Sequence, residues 1–303
     1  MALPRTIFAL LIFLLTLTNP SMGARMLDLW MPETNLLTYH QGAVLQGTIP
    51  VSILWYGTFS SSQKSIILDF IQSLGSSQQQ TPSVSLWMDK IYNFYLSKVN
   101  GARPQVVLVN QVDDAYSLGK SLSVDQISQL AAKAQPQNGG IALVLTADDV
   151  MVEDFCSTRC GMHGSNPTSS WTFIWVGNSA TQCPGHCAWP FNQPVNGPQG
   201  DPLKAPNNDI GCDGMVITIS SMFVGAVTNP YGNGYYQGQQ DAPLEAATAC
   251  PGCYGRGAFP GYAGQLRIDP ASGASYNAYG SNGRKFLLAG MMDPVTSMCS
   301  SLE

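Results

Sequence analysis

The sequence predicts an α/β protein, a single layered domain built on a mixed sheet. Three observations carry this prediction. Short apolar segments alternate with longer segments whose apolar residues recur at helical spacing. The order along the chain is strand, helix, helix, strand, helix, strand, strand, helix, and such alternation is typical of layered α/β domains. From Pro230 to Ser275 the chain is instead rich in Gly, Tyr, Pro and Ala, which predicts loops.

The first half of the chain supplies the first two strands and two helices between them. Residues 49–55, in the run PVSILWYG, are strand-like. The serines 60–62 can cap a helix at 63–74, in which Ile66, Phe70 and Leu74 share one face. After a polar loop, a second helix is predicted at 86–99. Residues 106–112 then form the second strand.

The remaining elements follow a capping signal. Ser123 and Gln126 form a capping box, which predicts a helix over 124–134. Apolar runs at 141–146 and 171–176 predict two further strands. The last element is a long apolar helix over 213–230, which carries no charge after its first residue and ends at Asn229-Pro230, because the residue before a proline disfavours helical geometry.

The N-terminus has the pattern of a cleaved signal peptide. Arg5 precedes an apolar run over 7–17, and Ser21-Met22-Gly23 offers small residues for cleavage. We therefore expect a signal peptide at 1–23, a mature domain at 24–303, and secretion. No later segment is predicted to cross a membrane. Charged residues make up 11% of the chain with no basic block, so nucleic acid is not an expected partner.

All eight cysteines follow residue 155. An even number in a secreted chain favours disulfides over a metal cluster or a redox site. The expected disulfides would tie the glycine- and tyrosine-rich loops to the helical core. Eight cysteines allow 105 connectivities, so their spacing alone leaves the pairing open.

Aromatic residues in the loop-rich part form a candidate binding surface. On glycine-rich loops they could contact sugar or peptide, so a cell-wall glycan or an extracellular protein or receptor is the expected partner. The alternative is that they pack the loops onto the domain. The candidates are Tyr231, Tyr235, Tyr236, Tyr254, Phe259 and Tyr262.

Several motifs in one order give the chain a family resemblance. They are LTYH (37–40), ILWYG (53–57), FCSTRCGMHG (155–164), QCPGHCAWPF (182–191), DGMV (213–216), TNP (228–230) and FPGYAG (259–264). Over essentially the whole mature chain the sequence resembles the EXORDIUM, or phosphate-induced protein, family of plants. The resemblance implies a protein of the apoplast or cell wall that is linked to cell expansion, growth and the brassinosteroid response, with no enzymatic activity securely attached.

The resemblance also suggests a zincin-like layout whose metal site has been lost. Some relatives look like zinc peptidases, with H-E-x-x-E a few residues before the same Asn-Pro. Counting back from that dipeptide places their metal and base positions at Ser221, Met222 and Gly225, and a further acidic position near Thr248. None of these four residues is an expected zinc ligand. We therefore expect no metal, no cofactor and no catalytic residue.

The family pattern further implies a disulfide arrangement. Cys212 and Cys253 depart together from the commoner pattern, which suggests that they form one extra bond. Cys250 would then pair with Cys299. Cys156 and Cys160 would pair with Cys183 and Cys187, in an order that stays open.

Two alternatives to a non-catalytic, growth-promoting binding protein remain. The first is a hydrolase of wall polymer or peptide, whose site would involve Glu153, Asp154 or His163. His163 and His186 are otherwise expected in polar, glycine-rich loops. The second is a structural wall component that binds polymer without a discrete pocket.

Overall fold

The computed structural model describes residues 37–166, 168, 170–197, 199–240 and 243–302. The predicted signal peptide therefore lies outside the described residues. The chain from Leu36 to Glu303 clusters as one compact unit.

Five helices and fifteen strands make up the described part of the chain. The helices are α1 (Ser61–Gly75), α2 (Val84–Phe94), α3 (Val124–Lys133), α4 (Pro184–Cys187) and α5 (Ile210–Thr228). The strands up to the long apolar helix are β1 (Thr38–Tyr39), β2 (Thr48–Tyr56), β3 (Gln105–Asp114), β4 (Ser121–Leu122), β5 (Ile141–Thr146), β6 (Met151–Val152), β7 (Gly161–Ser165) and β8 (Thr172–Gly177). The later strands are β9 (Tyr235–Tyr236), β10 (Arg267–Ile268), β11 (Ser275–Tyr276), β12 (Ala278–Tyr279), β13 (Lys285–Phe286), β14 (Met291–Asp293) and β15 (Met298–Ser300).

The central sheet has five strands in the order β3-β2-β5-β8-β7. Strands β2, β3, β5 and β8 are parallel, and β7 alone runs antiparallel, beside β8. The sheet is therefore mixed, as predicted. The crossover through α1 and α2 moves one way along the sheet and the crossover through α3 moves the other way. Because parallel crossovers are right-handed, α3 lies on the opposite face from α1 and α2.

The predicted elements are confirmed with two differences at their ends. Ser60 caps α1 and Ser123 caps α3, each in a complete capping box. The second helix is shorter than predicted, because α2 ends at Phe94 and a short 3-10 turn follows at Leu96–Val99. The long apolar helix begins earlier than predicted, at Ile210, where the Asp209 side chain accepts the Cys212 backbone N–H.

The edge strand β7 was not predicted, and this is the main error of the sequence analysis. His163 was expected in a polar, glycine-rich loop, but it lies in the middle of β7 opposite Ile174. The segment contains two glycines and has no alternating apolar pattern, so the sequence did not predict a strand there. The strand is stabilised by pairing with β8 rather than by the intrinsic strand propensity of its residues. His186 likewise lies in the short helix α4 rather than in a loop.

Helix α5 is the core helix of the domain. It packs against β7, β8, α1 and α4, and its apolar residues surround it on every side. By length and composition it could cross a membrane, with a mean hydropathy of 1.7, which corrects the expectation that no such segment follows the leader. However, 78% of this window is buried inside the protein, and burial in a core accounts for the same composition.

The loop-rich C-terminal part is held to the helices by specific contacts. Its strands form two-stranded sheets. The Trp87 indole on α2 donates to the Ala289 carbonyl at 2.8 Å. Arg284 donates to the Asp69 carboxylate on α1 at 2.9 Å. These contacts bury polar groups with their partners satisfied, which is how a segment with few periodic runs can be fixed in place.

Six of the eight cysteines form three disulfides, and one proposed disulfide is wrong. Cys156 bonds Cys183, Cys160 bonds Cys187, and Cys250 bonds Cys299. The structure thereby decides the order that the sequence left open. The Cys212–Cys253 bond suggested by the family pattern is absent, and both residues are free thiols. Cys212 is buried at the start of α5, whereas Cys253 is half-buried in the loop beside Gly290.

A buried carboxyl group lies in the first turn of α5. Asp213 accepts from the Asn207 side-chain amide at 2.6 Å and from the Asn207 backbone N–H at 2.9 Å. Burial raises the pKa of Asp213 to about 7, and these two hydrogen bonds oppose the shift only in part. The group is therefore mostly neutral below that pH.

Candidate binding groove

Helix α5 is exposed along its second half at only two residues. Ser221 and Met222 are half-buried, whereas every residue from Gly211 to Ser220 and from Phe223 to Thr228 is buried. Both open residues line a surface groove made of two adjoining cavities. The first encloses about 720 Å³ and the second about 430 Å³. Met222 belongs to both cavities, so the groove crosses the helix at the register predicted for a lost metal site.

Three segments form the walls of the first cavity. Strand β7 lines one side along its whole length, from Gly161 to Ser165. The opposite side is the chain after α5, which includes Asn229, Pro230, Tyr231 and Gly232. Gln240, Pro243, Glu245 and Thr248 complete the described lining. The second cavity continues along α5 toward Trp189 and Ile217.

A buried histidine–glutamate pair lies in the wall of the first cavity. His163 Nε2 and Glu245 Oε2 are 2.6 Å apart, and their side chains are only 11% and 8% exposed. A carboxylate oxygen accepts, so the Nε2–H tautomer of His163 is the one that donates to Glu245. The other Glu245 oxygen accepts from the Asn229 amide at 2.7 Å. The carboxylate is therefore held on both oxygens.

The second ring nitrogen of His163 has no partner in the described part of the chain. Nδ1 is buried and makes no hydrogen bond there. An unpaired buried polar atom is costly. A ligand in the groove could satisfy this nitrogen.

Gly225 leaves the space that the pair occupies. A Cβ atom at this position would lie 2.6 Å from His163 Nε2 and 2.7 Å from Glu245 Oε2. Such distances are far below van der Waals contact. The absence of a side chain at position 225 is therefore what allows the histidine and the glutamate to meet under the helix.

The four positions predicted for a lost metal site come together in the fold. Ser221, Met222 and Thr248 line the groove, and Gly225 packs directly against the buried pair. Thr248 has a different role from the acidic residue expected there, because its hydroxyl accepts the Glu245 backbone N–H at 2.9 Å. It thereby fixes the turn that presents Glu245.

Arg159 lies where the two cavities meet. Its guanidinium is 3.2 Å from the exposed carboxylate of Asp154. Exposed ion pairs of this kind contribute about 0–1 kcal/mol to stability. A ligand can therefore replace Asp154 as the partner of the Arg159 guanidinium. The acidic residue Glu153 lies outside the groove lining, and its carboxylate accepts from the Val124 backbone N–H at the start of α3.

The predicted aromatic surface is divided by the structure. Tyr231 lines the groove and is half-buried. Tyr235 and Tyr254 are buried. Tyr235 donates to the Tyr95 carbonyl at 3.0 Å and lies outside the lining of both cavities, so for this residue the packing alternative holds. Tyr254 lines the second cavity.

The other aromatic candidates lie outside the described groove lining. Tyr236 stacks on His40 with ring centroids 3.8 Å apart. Phe259 and Tyr262 are exposed and contact each other, with centroids 5.2 Å apart. Phe259 lines a separate cavity with Cys253 and Met298. The structure therefore does not bring the six aromatic residues to one surface.

One cluster has the donor types of a metal site but lacks free donors. Cys160, His186 and Cys187 bring their side-chain donor atoms within 4.8 Å of one another. The two sulfurs are bonded to each other, and a zinc ligand must be a thiolate. The cluster is therefore a disulfide with a neighbouring histidine.

Sequence reasoning missed Glu245 and Asn229 as site residues. It placed the acidic position three residues later, at Thr248, and treated Asn229 only as a helix end. One signal was present: Glu245 is the single charge between Pro243 and Cys250, in an otherwise apolar and small-residue segment. A lone carboxylate in such surroundings indicates a buried, partnered group.

Comparison with known proteins gives a consistent family. The sequence model of the phosphate-induced protein 1 conserved region matches residues 37–302. The chain is 54% identical to Protein PHOSPHATE-INDUCED 1 of Nicotiana tabacum over 89% of this chain and 90% of that one. It is 50% identical to Protein EXORDIUM of Arabidopsis thaliana over 98% of each, and 48% identical to Protein EXORDIUM-like 1 of the same plant over 87% and 89%.

No solved structure matches the chain. The α/β architecture therefore rests on the fold described above. The zincin-like layout has no structural neighbour in its support.

Proposed function

This chain belongs to the phosphate-induced protein 1, or EXORDIUM, family. From that premise we propose that it is a secreted protein of the plant cell wall or apoplast. We propose further that it promotes cell expansion by binding rather than by catalysis. The groove over Ser221 and Met222 is its binding site, and a wall glycan or an extracellular protein is its ligand.

The observation that carries this proposal is the groove itself. An otherwise buried helix opens to the surface at the two residues where zinc peptidases have a metal ligand and a base. In this chain those residues are a hydroxyl and a thioether. An open cleft at these positions, without residue types that bind zinc, supports binding rather than metal-dependent catalysis.

Secretion is supported by two independent features. The first 23 residues have the charge and hydropathy pattern of a signal peptide. Three disulfides are also consistent with an oxidising compartment, since cytosolic thiols are kept reduced.

A hydrolase acting on wall polymer or peptide is the second candidate. The His163–Glu245 pair favours it, because a carboxylate that orients a histidine is a common arrangement for a general base. Glu153 and Asp154, the other predicted participants, do not join His163 in the lining of the first cavity.

The test compares the mature protein with a variant in which the groove is filled. Ser221→Trp places a large side chain in the second cavity, next to Met222, which lines both cavities. Ser62→Trp is the control, at an exposed serine on α1 outside the lining of either cavity. Binding to fractionated wall polysaccharides and to extracellular protein extracts is measured for each variant, together with release of soluble products.

We expect the control to bind like the unmodified protein and Ser221→Trp to lose binding, with no product released by either. Binding that survives in Ser221→Trp would point to a structural wall component without a discrete pocket. Product release that is lost in His163→Asn would establish the hydrolase instead. A growth assay with the secreted variants then tests whether cell expansion follows binding.

A further inference from the structure

We propose that the ligand of the groove is an extended peptide that pairs with the free edge of β7 and carries a carboxylate toward Arg159. This inference rests on the proposed binding function and specifies the ligand class. It is argued from the backbone of β7, from the shape of the first cavity and from its charges.

The unpaired backbone groups of β7 point away from the sheet. The Gly177 N–H donates to the Cys160 carbonyl at 3.3 Å, which makes these two residues a hydrogen-bonded pair. In an antiparallel ladder such pairs alternate with pairs that are not hydrogen-bonded. With the observed register, Gly161, His163 and Ser165 therefore direct both their N–H and their C=O groups outward.

These outward groups lack partners in the described part of the chain. No hydrogen bond to the backbone of Gly161, His163 or Ser165 is formed there on the outer side. Proteins usually protect such an edge with proline, lysine, a bulge or a covering loop. Strand β7, with the sequence GMHGS, contains none of these residues.

The first cavity runs along this edge. All five residues of β7 contact it. Successive side chains in a strand point to opposite faces of the sheet, so lining by all five residues favours a cavity that follows the edge of the strand. The length of β7 allows a paired segment of about five residues, which is a common mode of peptide recognition.

The charges of the cavity favour a carboxylate on the peptide. Four residues of its described lining are charged or titratable: Arg159, His163, Tyr231 and Glu245. His163 and Glu245 are paired with each other. Arg159 is left with the exposed Asp154 as its partner. An acidic side chain or a C-terminal carboxylate of the peptide therefore complements the groove.

The experiment selects a ligand and then tests how it binds. A phage-displayed library of random peptides is panned against the mature protein, and Ser221→Trp is used to remove clones that bind elsewhere. Oligogalacturonides, which are anionic wall glycans, form the second arm. The selected peptide is synthesised with an N-methyl group at each position in turn, because N-methylation removes one backbone donor.

A matched pair of variants tests the strand edge. Ser165→Pro removes an outward N–H without removing a ladder bond to β8. Ser165→Ala keeps that N–H and removes only the hydroxyl. We expect Ser165→Pro to weaken peptide binding about tenfold, in line with one lost hydrogen bond. Ser165→Ala should change it less than about twofold.

Three results together would support the proposal. The selected peptides should be rich in Asp or Glu, and N-methylation at every second position should abolish their binding to the protein. At low salt, the peptides should bind Arg159→Gln more weakly than the unmodified protein. Tolerance of N-methylation at all positions, or equal binding by the two Ser165 variants, would overturn it. If oligogalacturonides bind in a manner sensitive to Ser221→Trp and no peptide does, the peptide proposal fails while the proposed binding function stands. If neither ligand binds, the peptide proposal fails, and the proposed binding function fails as well when the wall polysaccharides and extracellular protein extracts also do not bind.

Discussion

Replacing Gly225 by alanine tests whether the buried pair fills the space below α5. The new Cβ would lie 2.6 Å from His163 Nε2 and 2.7 Å from Glu245 Oε2. Each side-chain end must therefore move by about 1 Å to reach ordinary contact. Such overpacking costs about 1–3 kcal/mol, and weakening the buried hydrogen bond between the two side chains adds to that cost. Alanine recovers about 1 kcal/mol through its higher helix propensity.

We therefore expect Gly225→Ala to lower the free energy of unfolding by about 2 kcal/mol. The same change should cost less in a His163→Ala background, because only the Glu245 carboxylate then lies against the new Cβ and it can move into the space left by the imidazole. The measurement is urea denaturation of the four proteins of this cycle, followed by tryptophan fluorescence.

Gly214→Ala provides the matched control. Its Cβ would meet the Ala188 Cβ at 2.8 Å, about three turns before Gly225 on α5 and away from His163. This change should destabilise the protein equally with and without the His163 side chain. The reasoning would be refuted by equal effects of Gly225→Ala in the two backgrounds, since the coupling energy would then be zero.

Three further predictions concern the rest of the domain. The folded-state pKa of Asp213 is raised from 3.8 to about 7, so its contribution to stability is present below about pH 4 and is lost as the pH rises to 7, by up to about 4 kcal/mol. Asp213→Asn should therefore flatten the dependence of the melting temperature on pH over this range. An unchanged slope would show that Asp213 does not cause that dependence. Alkylation of the native protein should label Cys253, and Cys212 should react only after unfolding; a peptide map that joins the two would restore the disulfide rejected here. Arg284→Lys should lower the free energy of unfolding by about 1–2 kcal/mol, because lysine cannot reproduce the guanidinium contacts to Asp69 and its neighbours. A chemical denaturation midpoint equal to that of the unmodified protein would show that those contacts contribute nothing to stability.

Periodicity predicted the elements that carry their own local signal. Helices α1 and α3 were predictable from the sequence. Each begins at a capping box, at Ser60 and Ser123 respectively, and an apolar face follows at helical spacing. The buried strands β5 and β8 were readable as apolar runs. The long helix α5 was found for the same reason, because each of these signals lies within a few residues along the chain.

The partners of the site were not readable in this way. His163 and Glu245 are 82 residues apart in the sequence, and each belongs to a segment with no periodic pattern. Strand β7 exists because β8 offers it a hydrogen-bonding edge. The cysteine pairing was open for the same reason, since it depends on which loops the fold brings together.

The sequence by itself therefore determined the α/β class, most of the central sheet, the core helix and the absence of metal-ligand residue types at Ser221, Met222, Gly225 and Thr248. These are properties of residue type and local spacing. Only the tertiary structure decided that Ser221, Met222 and Thr248 line an open groove, that a buried histidine–glutamate pair packs against Gly225, and that Cys212 and Cys253 remain apart. These facts depend on contacts between distant segments, and no local pattern encodes which segments will meet.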